Sequence, residues 1–219
     1  MRTSRRALLA ATGGALAATA GCLGSLPGSS GGSKPSCDVG EQQTVQQLPR
    51  PALGPDDASV TVDAYEDFAC PHCATYSTEV FPKIREDYIS SGDIRYRFFD
   101  FPLPVNEQWS WGGAIAARAV QDRTDAETFF DYAHAIFENQ DKLTSSGYQL
   151  VHDLAEDRSV NGCQVMAAVE QDTYRPVVEA DRQRAVDKGY SSTPTVVVDG
   201  QALDSYGYDA VSSAIDSKL

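Results

Sequence analysis

Ser59-Val60-Thr61-Val62-Asp63-Ala64-Tyr65-Glu66-Asp67-Phe68-Ala69-Cys70-Pro71-His72-Cys73 is the stretch whose reading settles the architecture. Ser59 to Tyr65 alternates and is β-rich, which predicts a strand. A helix should open at Pro71, because proline at the first helical position lacks only an N–H that would have no partner there. Cys70 therefore falls between a strand and a helix N-terminus. Exposed N–H groups and the helix dipole at that point favour a thiolate. Cys73 lies one turn on, more buried, as a resolving thiol, and His72 adds a polar or cationic group beside the first sulfur. A stabilised thiolate leaves readily and makes the disulfide form oxidising. A C-x-x-C can also be half a zinc site, but zinc wants four ligands and usually a second such pair or a histidine pair. Here no second pair exists, and His134 and His152 sit within helical stripes. The expectation is no metal and no cofactor beyond a redox-active Cys70–Cys73 disulfide.

Downstream, Val80, Ile84 and Tyr88 mark one helix face, with Pro82 expected to kink it. Ser90 to Asp93 reads as a stop, and Ile94 to Phe99 as a second strand. From about Glu107 to Lys188 the periodicity is helical throughout, with apolar stripes such as Phe129, Tyr132, Ala133, Ile136 and Phe137. Thr195 to Val198 is a third strand, Asp199-Gly200 a hairpin turn, and Tyr208 to Lys218 a final helix. The order gives an α/β chain with a helical domain inserted between the second and third core strands.

Upstream, the first 21 residues read as a targeting segment. Arg5-Arg6 look like a twin-arginine export signal, and the Ala-rich run from Ala7 to Ala20 is short and small-sided for a membrane span. Thr19-Ala20-Gly21-Cys22 resembles a lipobox, which implies cleavage before Cys22 and lipidation of its thiol. Gly, Ser and Pro dominate from Gly24 to Pro35, so residues 22–52 are expected to form a lipidated cysteine followed by a flexible tether or N-terminal arm. The chain carries 18 Lys+Arg against 31 Asp+Glu, a net charge of −13. Losing Arg2, Arg5 and Arg6 with residues 1–21 would leave 15 against 31, or −16. Such a surface repels nucleic acid and anionic headgroups. With only five lysines it also suits high salt, as in halophiles, where self-repulsion is screened. Of the five cysteines, a lipidated Cys22 would leave four. Cys70 and Cys73 are near enough in sequence to pair, and Cys37 with Cys163 could then be a structural disulfide; four cysteines allow three connectivities.

Together these motifs resemble the DsbA-like branch of the thioredoxin superfamily. The resemblance rests on Leu53-Gly54-Pro55-Asp56-Asp57-Ala58 before the first strand, Tyr65 to Cys73, Phe81-Pro82-Lys83, Tyr88, Phe98 to Leu103, and Ser192-Thr193-Pro194-Thr195. It covers about Leu53 to Leu219. It implies a thioredoxin-like fold at 53–219, with 53–104 and 189–219 as the core and 105–188 as the helical insertion. It implies Cys70 as the attacked cysteine, Cys73 as its partner, and tuning by Pro71 and His72. A cis-proline at Pro194 would lie against the pair, and the Thr193 backbone would bind an extended client peptide. Clients would be exported proteins with free thiols, and a membrane quinone-linked thiol oxidase would reoxidise the pair on the outer side of the cytoplasmic membrane. A reductase or isomerase of the same fold, or a tethered binding module, are the competing functions. Two departures stand out. Relatives often carry a buried acid six residues before the first cysteine, where this chain has Ala64, which leaves Asp67 or Glu66 as stand-ins. Many relatives also pair a cysteine near Cys163 with one in the preceding helical region, but Ala116 to Val120 has none and Cys37 is the remaining partner.

Overall fold

A computed structural model describes residues 34–219. The expected export signal, the lipobox and Cys22 lie outside the described residues. Strand β2 (Val60–Glu66) is the centre of a five-stranded sheet of order β1-β3-β2-β4-β5, with β1 Ala52–Leu53, β3 Ile94–Asp100, β4 Thr195–Val198 and β5 Gln201–Ala202. Val60, Val62, Ala64 and Tyr65 have no exposed surface, as expected of a strand covered on both faces. β2 and β3 run parallel, and their register sets Glu66 beside Asp100 at one end of the sheet. β4 returns antiparallel to β2 and turns into β5 through Asp199-Gly200, both at positive φ (45° and 81°), the geometry that aspartate and glycine tolerate in a tight hairpin.

After β2 the chain enters α1 (Pro71–Thr75), a π-helical turn (Tyr76–Val80), α2 (Phe81–Ile84) and a second π-helical turn (Arg85–Ile89). Around Pro82, where a kink is expected, the helix widens into a π-helical turn. Proline cannot donate to the carbonyl four residues back and collides with it, and a five-residue turn just before it relieves both problems. The insertion comprises α3 (Glu107–Gln121), α4 (Ala126–Glu138), α5 (Gln140–Glu156), α6 (Gly162–Glu170) and α7 (Arg175–Asp187); α8 (Tyr208–Asp216) ends the fold. Asn106, Asp125 and Asn161 cap α3, α4 and α6, each accepting the N–H three residues on, a device worth about 1 kcal/mol per helix. The insertion presses directly on the strand–helix junction: a Cβ at Gly113 of α3 would lie 2.6 Å from the Phe68 Cβ. No helix among the described residues is long and apolar enough to cross a membrane.

Most of the Gly24–Pro35 stretch expected as a tether lies outside the described residues, and the arm that follows it is anchored. Residues 34–51 have no helix or strand, yet they are held along the insertion. Val45 N–H donates to the Thr173 carbonyl at 2.8 Å, and Gln42 bonds both Gln171 and the Gln164 carbonyl. Gln121 reaches the Pro49 carbonyl at 2.7 Å, and Val45 and Leu48 pack on the core. Cys37 is disulfide-bonded to Cys163 of α6, with Cα atoms 5.4 Å apart and 126 residues between them. Such a crosslink restricts the unfolded chain strongly, because the closed loop is long. Replacing both Cys37 and Cys163 by alanine is expected to cost about 3–5 kcal/mol. In a chain of this size that lowers the thermal midpoint by about 10 °C. Calorimetry of the pair variant against the unmodified protein checks it, and an unchanged midpoint would show that the backbone bonds alone hold the arm.

Candidate active site

Cys70 is the N-cap residue of α1, extended at φ −82° and ψ 121°, and its carbonyl accepts the Ala74 N–H. The extended conformation continues the strand's direction, and Pro71 starts the helix, so the sulfur lies where the first helical N–H groups point. Cys70 retains 6% exposure and Cys73 none. The two thiols are free and both buried. The Thr193-Pro194 peptide is cis, and the Thr193 carbonyl oxygen lies 3.5 Å from the Cys70 sulfur. The cis-proline loop, 123 residues away in sequence, thus forms the second wall of the site.

The two sulfurs are electrostatically unlike. The Cys73 thiol donates to the Cys70 sulfur and is the largest influence lowering it; burial opposes, while the Thr193 side chain and the N–H groups of Cys73 and His72 assist. The result is a Cys70 thiol pulled down to about 5. Cys73 is pushed the other way, well above an ordinary thiol, first by burial, then by the bond it gives to Cys70 and by the nearby Glu66 carboxyl. One proton thus stays on Cys73 and is absent from Cys70 at neutral pH, which makes Cys70, also the less buried sulfur, the better leaving group.

Beneath the pair lies Glu66, 3% exposed, with Oε2 lacking any hydrogen-bond partner. Burial chiefly, then the charges of Cys70 and Asp100, hold its carboxyl protonated far above the usual range. Asp67 lies beside the pair, its carboxyl raised chiefly by burial with the Cys70 charge adding to that, and it also shapes the loop. Its Oδ1 accepts the Ala69 N–H and its Oδ2 the Leu103 N–H, both at 2.8 Å, so the carboxylate shapes the loop before Cys70. Its own N–H donates to the Cys73 sulfur at 3.4 Å. Burial raises both acids, and Glu66 is the one with a carboxyl oxygen free of any hydrogen bond.

Two contacts had no signal in the sequence. Tyr206, from the loop before α8, places its hydroxyl 3.0 Å from His72 Nδ1, and Gln140 at the start of α5 donates to the carbonyls of Phe68 and Cys70. The first fixes the histidine over the site; the second ties the insertion to the strand–helix junction. Cys37, His152 and Cys163 are the single cluster of three potential metal ligands among the described residues, and there the two sulfurs are bonded to each other.

Comparison with known proteins agrees with this geometry. Residues 46–217 match the thioredoxin family profile. Disulfide bond formation protein D of Bacillus subtilis is 28% identical over 177 residues, covering 78% of this chain and 77% of the relative. The crystal structure of oxidised BdbD from Bacillus subtilis superposes with a TM-score of 0.70 at 27% identity, over 81% of this chain and 98% of that one. The α-DsbA1 structure from Wolbachia pipientis shares the fold at a TM-score of 0.68 and 21% identity, over 80% and 93% of the two chains. With a thiolate-stabilising C-x-x-C between strand and helix, a cis-proline wall and an inserted helical domain, the chain belongs to the thioredoxin family, in its DsbA-like branch, and is a protein thiol–disulfide oxidoreductase.

Proposed function

We propose that the protein works as an oxidase, introducing disulfides into exported proteins through the Cys70-Pro71-His72-Cys73 motif. The asymmetry of the two thiols carries this reading. In the oxidised protein a client thiolate attacks Cys70, forming a mixed disulfide and expelling Cys73 as a thiolate. Cys73 is fully buried, so its anion takes a proton at once, and neutral Glu66 is the acid positioned to give it. The client's second thiolate then attacks its own sulfur in the mixed disulfide, and Cys70 leaves as a thiolate. The client leaves with a disulfide, and the enzyme keeps two electrons and one thiol proton.

The stabilised thiolate sets the direction. A group whose folded pKa is depressed stabilises the reduced protein fully above its unfolded value and loses that stabilisation as pH falls through the folded one. At pH 7, two units above about 5, the reduced form keeps about 3 kcal/mol, equivalent to about 60 mV for a two-electron couple. The reduction potential, measured against glutathione, is therefore expected well above the ~−270 mV of thioredoxin and toward ~−120 mV. The 240-nm thiolate absorbance of the reduced protein should titrate with a midpoint near 5. A potential near ~−270 mV, or an ordinary thiol titration, would favour a reductase instead.

The proposal extends to place and partners. Arg5-Arg6 and Thr19 to Cys22 support twin-arginine export and a lipid anchor at Cys22, with the folded domain outside the cytoplasmic membrane. Reduced Cys70–Cys73 then returns its electrons to a membrane quinone-linked thiol oxidase. The client backbone is expected to run along Thr193-Pro194, adjacent to the Cys70 sulfur.

A further inference from the structure

A glutamate buried without a hydrogen-bond partner cannot exchange its proton with solvent unless something connects the two. Strand alternation turns the Glu66 side chain into the space between the sheet, the Tyr76–Val80 turn and α4. A small cavity lies there, about 10 Å3 measured for the centre of a water-sized sphere, which is room for about one water. Phenylalanine rings make most of its wall. Glu66, Ser77 and His134 bring polar groups to it, and a water needs two to four such partners. The other ionisable groups near Glu66 are Cys70, Cys73, Asp100, Tyr76 and Tyr96. The two tyrosines are fully buried and bonded to each other at 3.3 Å, so they offer no way out.

His134 does offer one. Its Nδ1 lies 3.0 Å from the Ser77 carbonyl. A carbonyl only accepts, so Nδ1 carries a hydrogen on the cavity wall. Nε2 lies 3.5 Å from the Glu138 carboxylate, and the side chain is 30% exposed. The imidazole thus lines the cavity while its side chain also reaches solvent.

We infer that this cavity is the proton inlet of the active site: His134 takes a proton from solvent at Nε2 and releases one from Nδ1 across the cavity to the Glu66 carboxylate. The inference rests on the role proposed for Glu66. Each oxidation of a client leaves Glu66 as a carboxylate after it has protonated Cys73, and one proton entering at His134 restores it. The half-buried ring resets by swinging toward solvent, where Nδ1 takes up a proton as Nε2 loses one, and it then returns to the Ser77 carbonyl as the Nδ1–H tautomer. His134 touches neither sulfur, so it is a positioning and relay residue, and its removal acts on rate alone.

The test is multiple-turnover oxidation of a dithiol peptide by the full-length protein, with oxidised glutathione as the reoxidant, across pH 5–8. The variants are His134→Gln, Ala133→Ile, which fills the cavity from α4, and Glu66→Gln. His134→Gln and Ala133→Ile should each slow turnover by about three- to tenfold, less than the ~10²–10⁴-fold of losing a general acid itself, because Glu66 stays in place and only its resupply is slowed. Reduction potential and the Cys70 titration should stay unchanged, because a route alters speed and not equilibrium. In the Glu66→Gln background neither change should slow the reaction further. Unchanged rates in both single variants would overturn the inlet, as would an equal slowing with and without Glu66. If Glu66→Gln itself leaves the rate unaltered, the proton role of Glu66 fails first, and that outcome is distinct from a slow Glu66→Gln variant beside unaffected His134 and Ala133 variants. Should Ala133→Ile fold poorly, His134→Gln, on the half-exposed surface, decides alone.

Discussion

Replacing Cys70 by serine is expected to reduce dithiol oxidation to the uncatalysed background. The oxidised enzyme is attacked at one sulfur, and a hydroxyl forms no bond that a client thiolate can displace. Cys73 cannot substitute for it, because it has no exposed surface and holds its proton far above neutral pH. The 240-nm titration near 5 should vanish with the activity, since both belong to the same atom. Cys73→Ala should behave differently. It keeps the Cys70 sulfur, which can attack a client disulfide, and it lacks the thiol that would resolve the product. Mixed disulfides should accumulate on Cys70 and be visible on non-reducing gels, with clients identifiable from the trapped species. Because the Cys73 thiol is the largest influence lowering Cys70, the Cys73→Ala thiol should also titrate higher than in the intact pair. Residual oxidation by Cys70→Ser, or no trapped species with Cys73→Ala, would move the chemistry to another site.

Much of the site was legible because its signals are local. Strand alternation, Pro71 at the helix start and the spacing of the cysteines all act within fifteen residues, and each constrains the next. The acid was harder. The strand reading ended at Tyr65, but β2 runs to Glu66, which keeps that side chain on the inward face with Ala64. The same period of two, carried one residue further, would have singled out Glu66 over Asp67. Tyr206 and Gln140 had no comparable signal, since they reach His72 and Cys70 across 134 and 70 residues. The anchoring of residues 34–51 has little local signal beyond Cys37 for a similar reason, since it comes from one disulfide and backbone bonds to helices that composition does not reveal.

Arg118→Met is expected to cost about 3–5 kcal/mol of stability, because it removes the charge that two buried carboxylates share. Arg118 is 0% exposed. Its Nε donates to Asp100 at 2.6 Å and its Nη2 to Asp181 at 2.8 Å, while Nη1 holds Gln121. Arg50 of the arm also pairs with Asp181, and it is the partly exposed member. The network therefore joins the sheet, α3, α7 and the arm around Asp100, the residue in register with Glu66. Asp100 already sits high, at about 6, chiefly through burial and despite Arg118. Without the guanidinium it should rise further. A carboxyl whose folded pKa exceeds its unfolded value favours the folded state at low pH and loses that advantage as pH rises through the folded value. The Arg118→Met deficit should therefore be largest above pH 7 and shrink toward pH 5, the reverse of an acid-labile variant. Adding Asp100→Asn and Asp181→Asn should recover part of the loss at neutral pH, since the orphaned charges are then gone. Urea unfolding of the reduced proteins at pH 5 and 8 reads both effects. A deficit that does not depend on pH would mean that Arg118 matters for packing against Phe129, whose ring lies 5.4 Å from its guanidinium, and not for charge.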